Sequence, residues 1–439
     1  MKKNLIPKKI VEELNKYIIS QEDAKKNVAI SLRNRHRRKQ ISDVKLKNEI
    51  TPKNIILIGP TGVGKTEIAR RLATITDSPF IKVEATKYTE VGYVGKDVES
   101  MIKDLVSITF NKLKAKRIET LREKYKETTF LKVAKLIKPY GTINTDDKNI
   151  LLDEIKSGKY DNDEIEVEKH QNTEAPMVEV FATGNEPDED GVKGIIDNIM
   201  NSFPGGKKKI VKMSVKNAIE YFLRTEIEQN IDLEELKPLA VEKVEENGIV
   251  FIDEIDKIAE REGSHSEVSR QGVQRDILPI IEGTTVMTKY GSVRTEHILF
   301  IAAGAFTQAS PSDLMPELQG RFPIKVRLNT LNKEDFVKIL TEIDFNLLTQ
   351  YKELLNTDNV NLSFTKGAID EIAEIAIDLN EDIENIGARR LAGVIEKVLN
   401  DIMFEAPYEK ETTIKIGKKD VVKAFTYELI EENLDNYIL

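Results

Sequence analysis

The sequence predicts an α/β fold that is interrupted by a long insertion and followed by a smaller helical domain. Helical spacing of apolar residues alternates with short strand patterns in the first 110 residues and again from residue 248. The stretch between them is rich in charged and turn-forming residues, and two helical stretches fill the last third of the chain. We therefore predict four segments, at residues 1–110, 111–237, 238–326 and 327–439.

The first segment contains a strand–helix–strand unit. After two stretches with helical spacing, NIILIG forms a short buried strand, EIARRLATI a helix and PFIKVEA a second strand. A long amphipathic helix follows Asp97, whose side chain suits an N-cap, and ends near Glu127. In the last segment, the helical stretches are KEDFVKILTEIDFNLLTQYKELL and TKGAIDEIAEIAIDLN.

Composition restricts the class of protein. The formal net charge is −9, and the longest apolar run, ILFIAAGAF, is too short to cross a bilayer. The N-terminal segment lacks the apolar region of a signal peptide, and the absence of cysteine suits a reducing compartment. Four scattered histidines argue against a transition-metal site. We therefore expect a cytoplasmic protein without a membrane span.

One basic run departs from the acidic total. RNRHRRK at residues 33–39 could contact nucleic acid, but such a run is more often one solvated face of a helix. Because an acidic protein has no general attraction for a polyanion, the sequence argues against nucleic-acid binding.

A phosphate-binding motif lies between the first strand and its helix. GPTGVGKT at residues 59–66 matches G-x-x-x-x-G-K-[ST], and both flanks fit the motif. Gly62 and Gly64 let backbone N–H groups surround phosphates at a helix N-terminus. Lys65 would reach the outer phosphates, and the Thr66 hydroxyl would ligate Mg²⁺. The sequence therefore predicts a nucleotide site with magnesium.

A second strand ends in two adjacent carboxylates. In GIVFIDEID at residues 248–256, Asp253 would hold Mg²⁺ and Glu254 would polarise the attacking water. The alternative is a charge pair at a helix N-terminus, but the phosphate motif in the same chain favours hydrolysis. The long separation of the two motifs is explained by the insertion, because the cost of closing a loop grows slowly with its length.

Two arginines could complete the chemistry. Arg321 lies in PELQGRFP, and Arg389 opens ARRLAGVIEKVL. A guanidinium keeps its charge and carries a rigid set of donors, so either residue could stabilise charge on the γ-phosphate. A solvated surface position is the commoner fate of a single arginine.

In this order, the phosphate loop, the Asp-Glu strand end, GYVG, ELQGR and GARR resemble the Clp/Hsp100 group of AAA+ ATPases. The nearest likeness is to the branch whose ring works with HslV, an N-terminal-threonine peptidase. It is close over residues 9–112 and 241–439 and weak in the insertion. The resemblance implies an AAA+ P-loop core, an inserted, mostly helical intermediate domain that handles substrates, and a C-terminal α-helical lid domain.

The resemblance also implies roles for individual residues. Arg321 resembles the arginine finger that reaches the nucleotide of a neighbouring subunit, and Arg389 resembles the sensor-2 arginine. The positions implied to contact ATP are Ile19, Gly62, Val63, Gly64, Lys65, Thr66, Glu67, Asp253, Glu317 and Arg389.

GYVG at residues 92–95 matches the pore loop of that group. Tyr93 and Val94 would grip an extended polypeptide, while Gly92 and Gly95 would let the loop tilt. The alternative is an ordinary glycine turn whose tyrosine packs on the core.

The segment NLDNYIL at residues 433–439 resembles the tail that docks into the peptidase. The alternative is a helix folded back onto its own core. The docking residues would be Leu434, Tyr437, Ile438 and Leu439.

The resemblance implies a cytoplasmic homohexamer that uses ATP and Mg²⁺ to unfold proteins and acts in the stress response. It would pass substrates into the HslV-type peptidase and activate it, without a proteolytic site of its own. Three alternatives stay open: a ClpX-like unfoldase, although ClpX usually carries a cysteine-rich zinc domain; a nucleic-acid motor; and a nucleotide-bound scaffold without turnover.

Two positions depart from the family pattern. Ser20 stands where glycine is expected, which would shift the adenine loop slightly. Ala302 and Ala303 occupy the strand that often ends in a polar sensor-1 residue, so no sensor-1 residue is predicted.

Overall fold

The computed structural model describes residues 6–89, 96–138, 145–170, 208–259 and 270–425. The chain forms two compact units, Met1–Asn111 with Glu234–Leu439, and Lys112–Leu233. The α-helices are α1 (Pro7–Asn15), α2 (Glu22–Lys39), α3 (Val44–Glu49), α4 (Lys65–Thr76), α5 (Ser100–Ile137), α6 (Thr145–Lys156), α7 (Val215–Asn230), α8 (Leu233–Asn247), α9 (Arg270–Glu282), α10 (Pro316–Arg321), α11 (Lys333–Thr341), α12 (Leu347–Asn356), α13 (Lys366–Asp382) and α14 (Arg390–Glu405). The strands are β1 (Ile55–Ile58), β2 (Phe80–Glu84), β3 (Glu164–His170), β4 (Lys208–Ser214), β5 (Ile249–Asp253), β6 (Thr285–Thr288), β7 (Gly291–Arg294), β8 (Leu299–Gly304), β9 (Ile324–Arg327), β10 (Val360–Phe364) and β11 (Thr412–Ile416).

A five-stranded parallel sheet organises the first unit, in the order β2–β5–β8–β1–β9. Its central strands are almost wholly apolar because a parallel sheet is buried on both faces. Since all five strands run in one direction, their carboxyl ends meet along one edge. Ligands bind outside that edge in open sheets of this kind.

Helices α1, α2 and α4 bury their apolar faces in the same core as the sheet, through residues such as Leu14, Leu32 and Leu72. The basic run on α2 is partly internal. Arg35 donates to the backbone oxygens of Glu246 and His297, and Arg38 is also buried. Part of the run therefore anchors α2 to the end of α8 and to the segment before β8 instead of forming a solvated face.

The last part of the first unit has its own core of helices α11–α14 around residues such as Phe336, Ile372 and Leu399. It includes the parallel pair β10–β11, which the sequence analysis did not predict. The helical stretch predicted at residues 333–355 forms two helices, α11 and α12. They are separate because Phe345 adopts a left-handed φ of 57° and Asn346 caps α12.

The second unit combines α6, α7 and the antiparallel pair β3–β4 with the end of α5. Its core contains Val133, Ala134, Leu151 and Val167. Helix α5 continues to Ile137 instead of ending near Glu127, because Val133 and Ala134 add a buried turn to its charged middle. Among the residues described, no helix has the length and apolarity needed to cross a membrane.

Candidate nucleotide-binding site

The phosphate-loop sequence follows the carboxyl end of β1, close to the ends of β5 and β8. Gly62 and Gly64 have φ values of 75° and 98°, which glycine adopts without steric penalty. Helix α4 begins directly after Gly64, so its first N–H groups have no partner inside the helix and can bind an anion. A Cβ on Gly62 would lie 1.9 Å from the Ile386 carbonyl oxygen, so only glycine fits at this position.

Lys65 places its ammonium group inside the loop. Its Nζ donates to the carbonyl oxygens of Gly59 at 2.6 Å and Pro60 at 2.7 Å. Burial lowers the pKa of Lys65, while the carboxylates of Asp253 and Asp256 oppose that shift. The cation therefore lies in a partly desolvated position, where its attraction for phosphate is stronger than in water.

The two predicted magnesium ligands come together at this edge. The Thr66 hydroxyl donates to Asp253 Oδ2 at 3.4 Å, so a hydroxyl and a carboxylate from different elements are neighbours. Hard oxygen donors of this kind fit Mg²⁺, which usually binds one or two carboxylates and keeps several waters. Glu254 follows in a left-handed conformation, φ 56°. Such strain in a non-glycine residue is concentrated at functional sites.

The sequence analysis missed two charged residues at the same edge. Lys82 on β2 pairs with Asp253, with 2.7 Å between Nζ and Oδ2. Asp256 accepts a hydrogen bond from the Phe306 backbone N–H at 3.3 Å. The pairing of β2 with β5 brings Lys82 to the site, and no motif in the sequence signals that pairing.

A cavity of about 840 Å³ opens above the phosphate loop. Asp253, Glu254 and Arg389 contribute to its wall, although Arg389 comes from the C-terminal helices. Gly304 and Thr307 line it at the end of β8, whereas Ala302 and Ala303 are fully buried in the strand. The predicted sites that line this cavity are Gly62, Gly64, Lys65, Thr66, Glu67, Asp253, Glu254 and Arg389.

Arg321 lies elsewhere, at the end of α10. Its guanidinium pairs with Glu282, with 2.8 Å between Nη2 and Oε1, and its side chain is 52% exposed. Asn54 donates to the Arg321 carbonyl oxygen and accepts from the Phe300 N–H, which ties α10 to the sheet. Glu317, on the same helix, is exposed.

The remaining predicted contacts differ in their placement. Ile19 borders a neighbouring cavity of about 940 Å³. The side chain next to the phosphate loop is that of Ile18, because a Cβ added to Gly64 would lie 3.8 Å from its Cγ2. Val63 is buried beneath the loop. Glu67 points along α4, where it pairs with Arg71 at 2.5 Å.

Ser20 adopts a left-handed backbone conformation, which glycine adopts more readily than other residues. Its φ is 55°, and its hydroxyl donates to Asp335 Oδ1 at 2.6 Å. That hydrogen bond joins the N-terminal loop to α11. The predicted pore residues Gly92, Tyr93, Val94 and Gly95 and the predicted docking residues Leu434, Tyr437, Ile438 and Leu439 lie outside the described residues.

Family models match most of the chain. The model of the ATPase family associated with various cellular activities matches residues 55–190, and that of the AAA domain (Cdc48 subfamily) matches residues 164–325. The C-terminal, D2-small domain of ClpB protein matches residues 331–421. Together with the cavity, these matches define an AAA+ ATPase with an α/β core and helical regions, which confirms the predicted fold class.

Curated relatives extend over the full length. The ATP-dependent protease ATPase subunit HslU of Persephonella marina is 48% identical over 452 residues, covering 100% of both chains. The proteins of the same name from Listeria monocytogenes and Listeria innocua are 44% and 45% identical, covering 100% and 99% of this chain and 99% and 98% of their own. The chain belongs to the HslU family of ATPase subunits, which confirms the resemblance to the branch that works with HslV. The ClpX, nucleic-acid-motor and inactive-scaffold alternatives are therefore set aside.

Proposed function

We propose that this ATPase forms a hexameric ring that unfolds proteins and delivers them to an HslV-type threonine peptidase, which it also activates. The observation that supports the proposal is the single cavity in which Lys65, Asp253, Glu254 and Arg389 converge. A site built from elements of both the sheet and the C-terminal helices responds to nucleotide by changing how those elements pack. The printed names of the relatives, ATPase subunits of a protease, supply the partner class.

Each side chain has a distinct task in hydrolysis. Lys65 and the first N–H groups of α4 hold the outer phosphates, and Arg389 stabilises their charge from the opposite element. Thr66 and Asp253 would hold Mg²⁺, which neutralises charge on the phosphates when bound. Glu254 orients the attacking water, and Lys82 holds the Asp253 carboxylate in position through their ion pair.

The proposal that the chain forms a ring depends on Arg321. This arginine is exposed and pairs with Glu282. It does not line the nucleotide cavity of its own chain. A neighbouring subunit's cavity is the place where it would act, with Glu317 beside it. An arginine finger accelerates phosphoryl transfer by about 10³–10⁵ in other P-loop enzymes, so assembly would control hydrolysis.

The pore and docking assignments complete the proposal. Tyr93 and Val94 would grip the substrate between the glycines Gly92 and Gly95, and the apolar residues of segment 433–439 would dock into the peptidase. Ile19 would contact the adenine beside Ile18. The ring would act in the cytoplasm.

A degradation assay tests this proposal. The purified chain, Mg·ATP, an HslV-type peptidase and a folded fluorescent protein should together give ATP-dependent loss of fluorescence. Glu254→Gln should stop both hydrolysis and degradation. Tyr93→Ala should keep most of the hydrolysis and lose degradation, whereas the control Tyr125→Ala, a tyrosine on α5, should keep both. Degradation at the normal rate by Tyr93→Ala would exclude the pore assignment, and no degradation by the unmodified chain would exclude the coupling.

A further inference from the structure

The loop between α1 and α2 connects the sheet core to the C-terminal part of the first unit. The Lys16 carbonyl oxygen in this loop accepts a hydrogen bond from the Asp344 N–H at 2.7 Å. The Gln21 carboxamide exchanges two hydrogen bonds with the Asn329 backbone, at 2.8 and 3.0 Å. Tyr17, also in the loop, lines the nucleotide cavity. One short segment therefore contacts both the nucleotide cavity and the chain that leads from β9 into the C-terminal helices.

Ser20 makes a further connection through its side chain. Its hydroxyl donates to Asp335 Oδ1 at 2.6 Å, and Asp335, on α11, is only 7% exposed. The other carboxyl oxygen of Asp335 accepts from the Asn332 N–H at 3.1 Å, as part of the capping box of α11. Hydrogen bonds from a hydroxyl to a carboxylate are among the short and strong ones. The first turn of α11 is therefore fastened directly to the loop.

The backbone at position 20 does not require a serine. Ser20 has φ 55° and is followed by Gln21 with φ 63°, so two left-handed residues stand in succession. Glycine would adopt this angle with less strain, and glycine is the residue that the family pattern has at position 20. What serine adds is the hydrogen bond to Asp335. The hydroxyl therefore supplies a connection that the family pattern lacks.

This connection bears on nucleotide release because the cavity has walls from both parts of the first unit. Lys65 and Asp253 lie at the edge of the sheet, whereas Asp344 and Arg389 belong to the C-terminal part. A nucleotide held between these walls leaves when the walls separate. Separation would break the hydrogen bond of Ser20, since its two ends belong to the two parts.

We propose that Ser20 is a positioning residue that slows the release of ADP by fastening the loop between α1 and α2 to α11. Hydrolysis in this cavity leaves ADP between the two walls, and the turnover ends when the C-terminal helices move away from the loop. In many enzymes such an opening step, and not the chemistry, limits kcat. The extra hydrogen bond stabilises the closed arrangement and so lengthens the time for which ADP stays bound.

Stopped-flow displacement of a fluorescent ADP derivative from the full chain measures this step. Ser20→Ala removes the hydroxyl and should raise the ADP dissociation rate by about tenfold, the effect of losing one strong hydrogen bond, with little change in the association rate. Ser20→Gly should give the same increase, although glycine relieves the backbone strain. The matched control is Ser363→Ala, which removes a half-buried hydroxyl that donates to the Ile414 carbonyl oxygen between β10 and β11. The control should release ADP at the normal rate.

A double-mutant cycle separates this role from a general loosening of the fold. Asp335→Ala removes the acceptor, so adding Ser20→Ala to that variant should not raise the dissociation rate further. The proposal is overturned if Ser20→Ala releases ADP at the normal rate, if its effect persists in full in the Asp335→Ala background, or if Ser363→Ala accelerates release as much. Lys65→Ala should weaken binding of the fluorescent ADP, and normal binding by that variant would instead refute the nucleotide site itself.

Discussion

At the scale of single residues, His297 is a titratable group held in a basic setting. Arg38 contacts its Nε2, and Nδ1 is buried without a hydrogen-bond partner in the described part of the chain. Burial lowers the pKa of His297 below its ordinary value of 6.5, with Arg38 acting in the same direction. Glu246 and Glu296 oppose the shift and Arg294 adds to it. The folded protein therefore favours the neutral imidazole.

This pKa shift predicts a loss of stability in acid. Below about pH 6.5 the unfolded chain binds a proton that the folded chain resists, so the free energy of unfolding falls as pH decreases, by up to about 1.4 kcal/mol per pH unit from this group. Denaturant unfolding between pH 7.5 and 5 should show a shallower decrease for His297→Gln than for the unmodified chain. His36→Gln, on α2, is a comparison that should also make the decrease shallower, because burial lowers the pKa of His36 too. Parallel pH profiles for His297→Gln and the unmodified chain would contradict the assignment.

The sequence predicts the part of the site that is formed by motifs, because the residues of each motif have a fixed spacing along the chain. The loop around Lys65 and the carboxylates of Asp253 and Glu254 were predicted, since a strand that leads into a phosphate loop or ends in acids has local signals. Lys82 was not predicted, because it reaches Asp253 only through the pairing of β2 with β5. Pairing between distant strands depends on packing that a single sequence does not record.

At the scale of elements, the phosphate loop touches the turn before α14. The Ala388 N–H donates to the Gly62 carbonyl oxygen at 3.1 Å. Gly387 has φ 57°, and a Cβ there would lie 2.6 Å from the Thr61 carbonyl oxygen. Two glycines thus allow two backbones to approach closely, and this contact sets the position of Arg389.

Adding one methyl group should separate these elements. Gly387→Ala would force the turn away from the phosphate loop and misplace Arg389, and a displacement of about 1 Å can cost about 10²-fold in rate. We expect ATP hydrolysis to fall by that order. Gly393→Ala is the matched control, because nothing lies within 4 Å of its added Cβ and alanine favours the helix. Steady-state hydrolysis measures both, and equal rates in the two variants would show that the contact is unimportant.

The break between α11 and α12 and the pair β10–β11 show what apolar periodicity in the sequence does not predict. Periodicity found α13 and the strand–helix order of the first unit, but it joined α11 to α12 across Phe345. Asn346 is a cap residue, yet the apolar spacing on both sides of it continues in phase, which hid the break. The pair β10–β11 was missed because its two strands are separated by two helices and hydrogen-bond only in the folded chain.

At the scale of the whole molecule, the two units have separate cores. The core of the second unit includes Leu151, which is 4% exposed, while the C-terminal core of the first unit includes Leu362, also 4% exposed. All residues that line the nucleotide cavity belong to the first unit. Stability and hydrolysis should therefore respond differently to damage in the two cores.

Leu151→Ala and Leu362→Ala form a matched pair for this test. Each removes a buried leucine, which costs about 2–5 kcal/mol. Calorimetry should show that Leu151→Ala lowers one unfolding transition while ATP hydrolysis below that temperature stays unchanged. Leu362→Ala should lower a different transition and reduce hydrolysis, because its core supports α14, the helix that follows Arg389. If Leu151→Ala abolished hydrolysis while its transition stayed above the assay temperature, the ATPase would depend on the second unit as well.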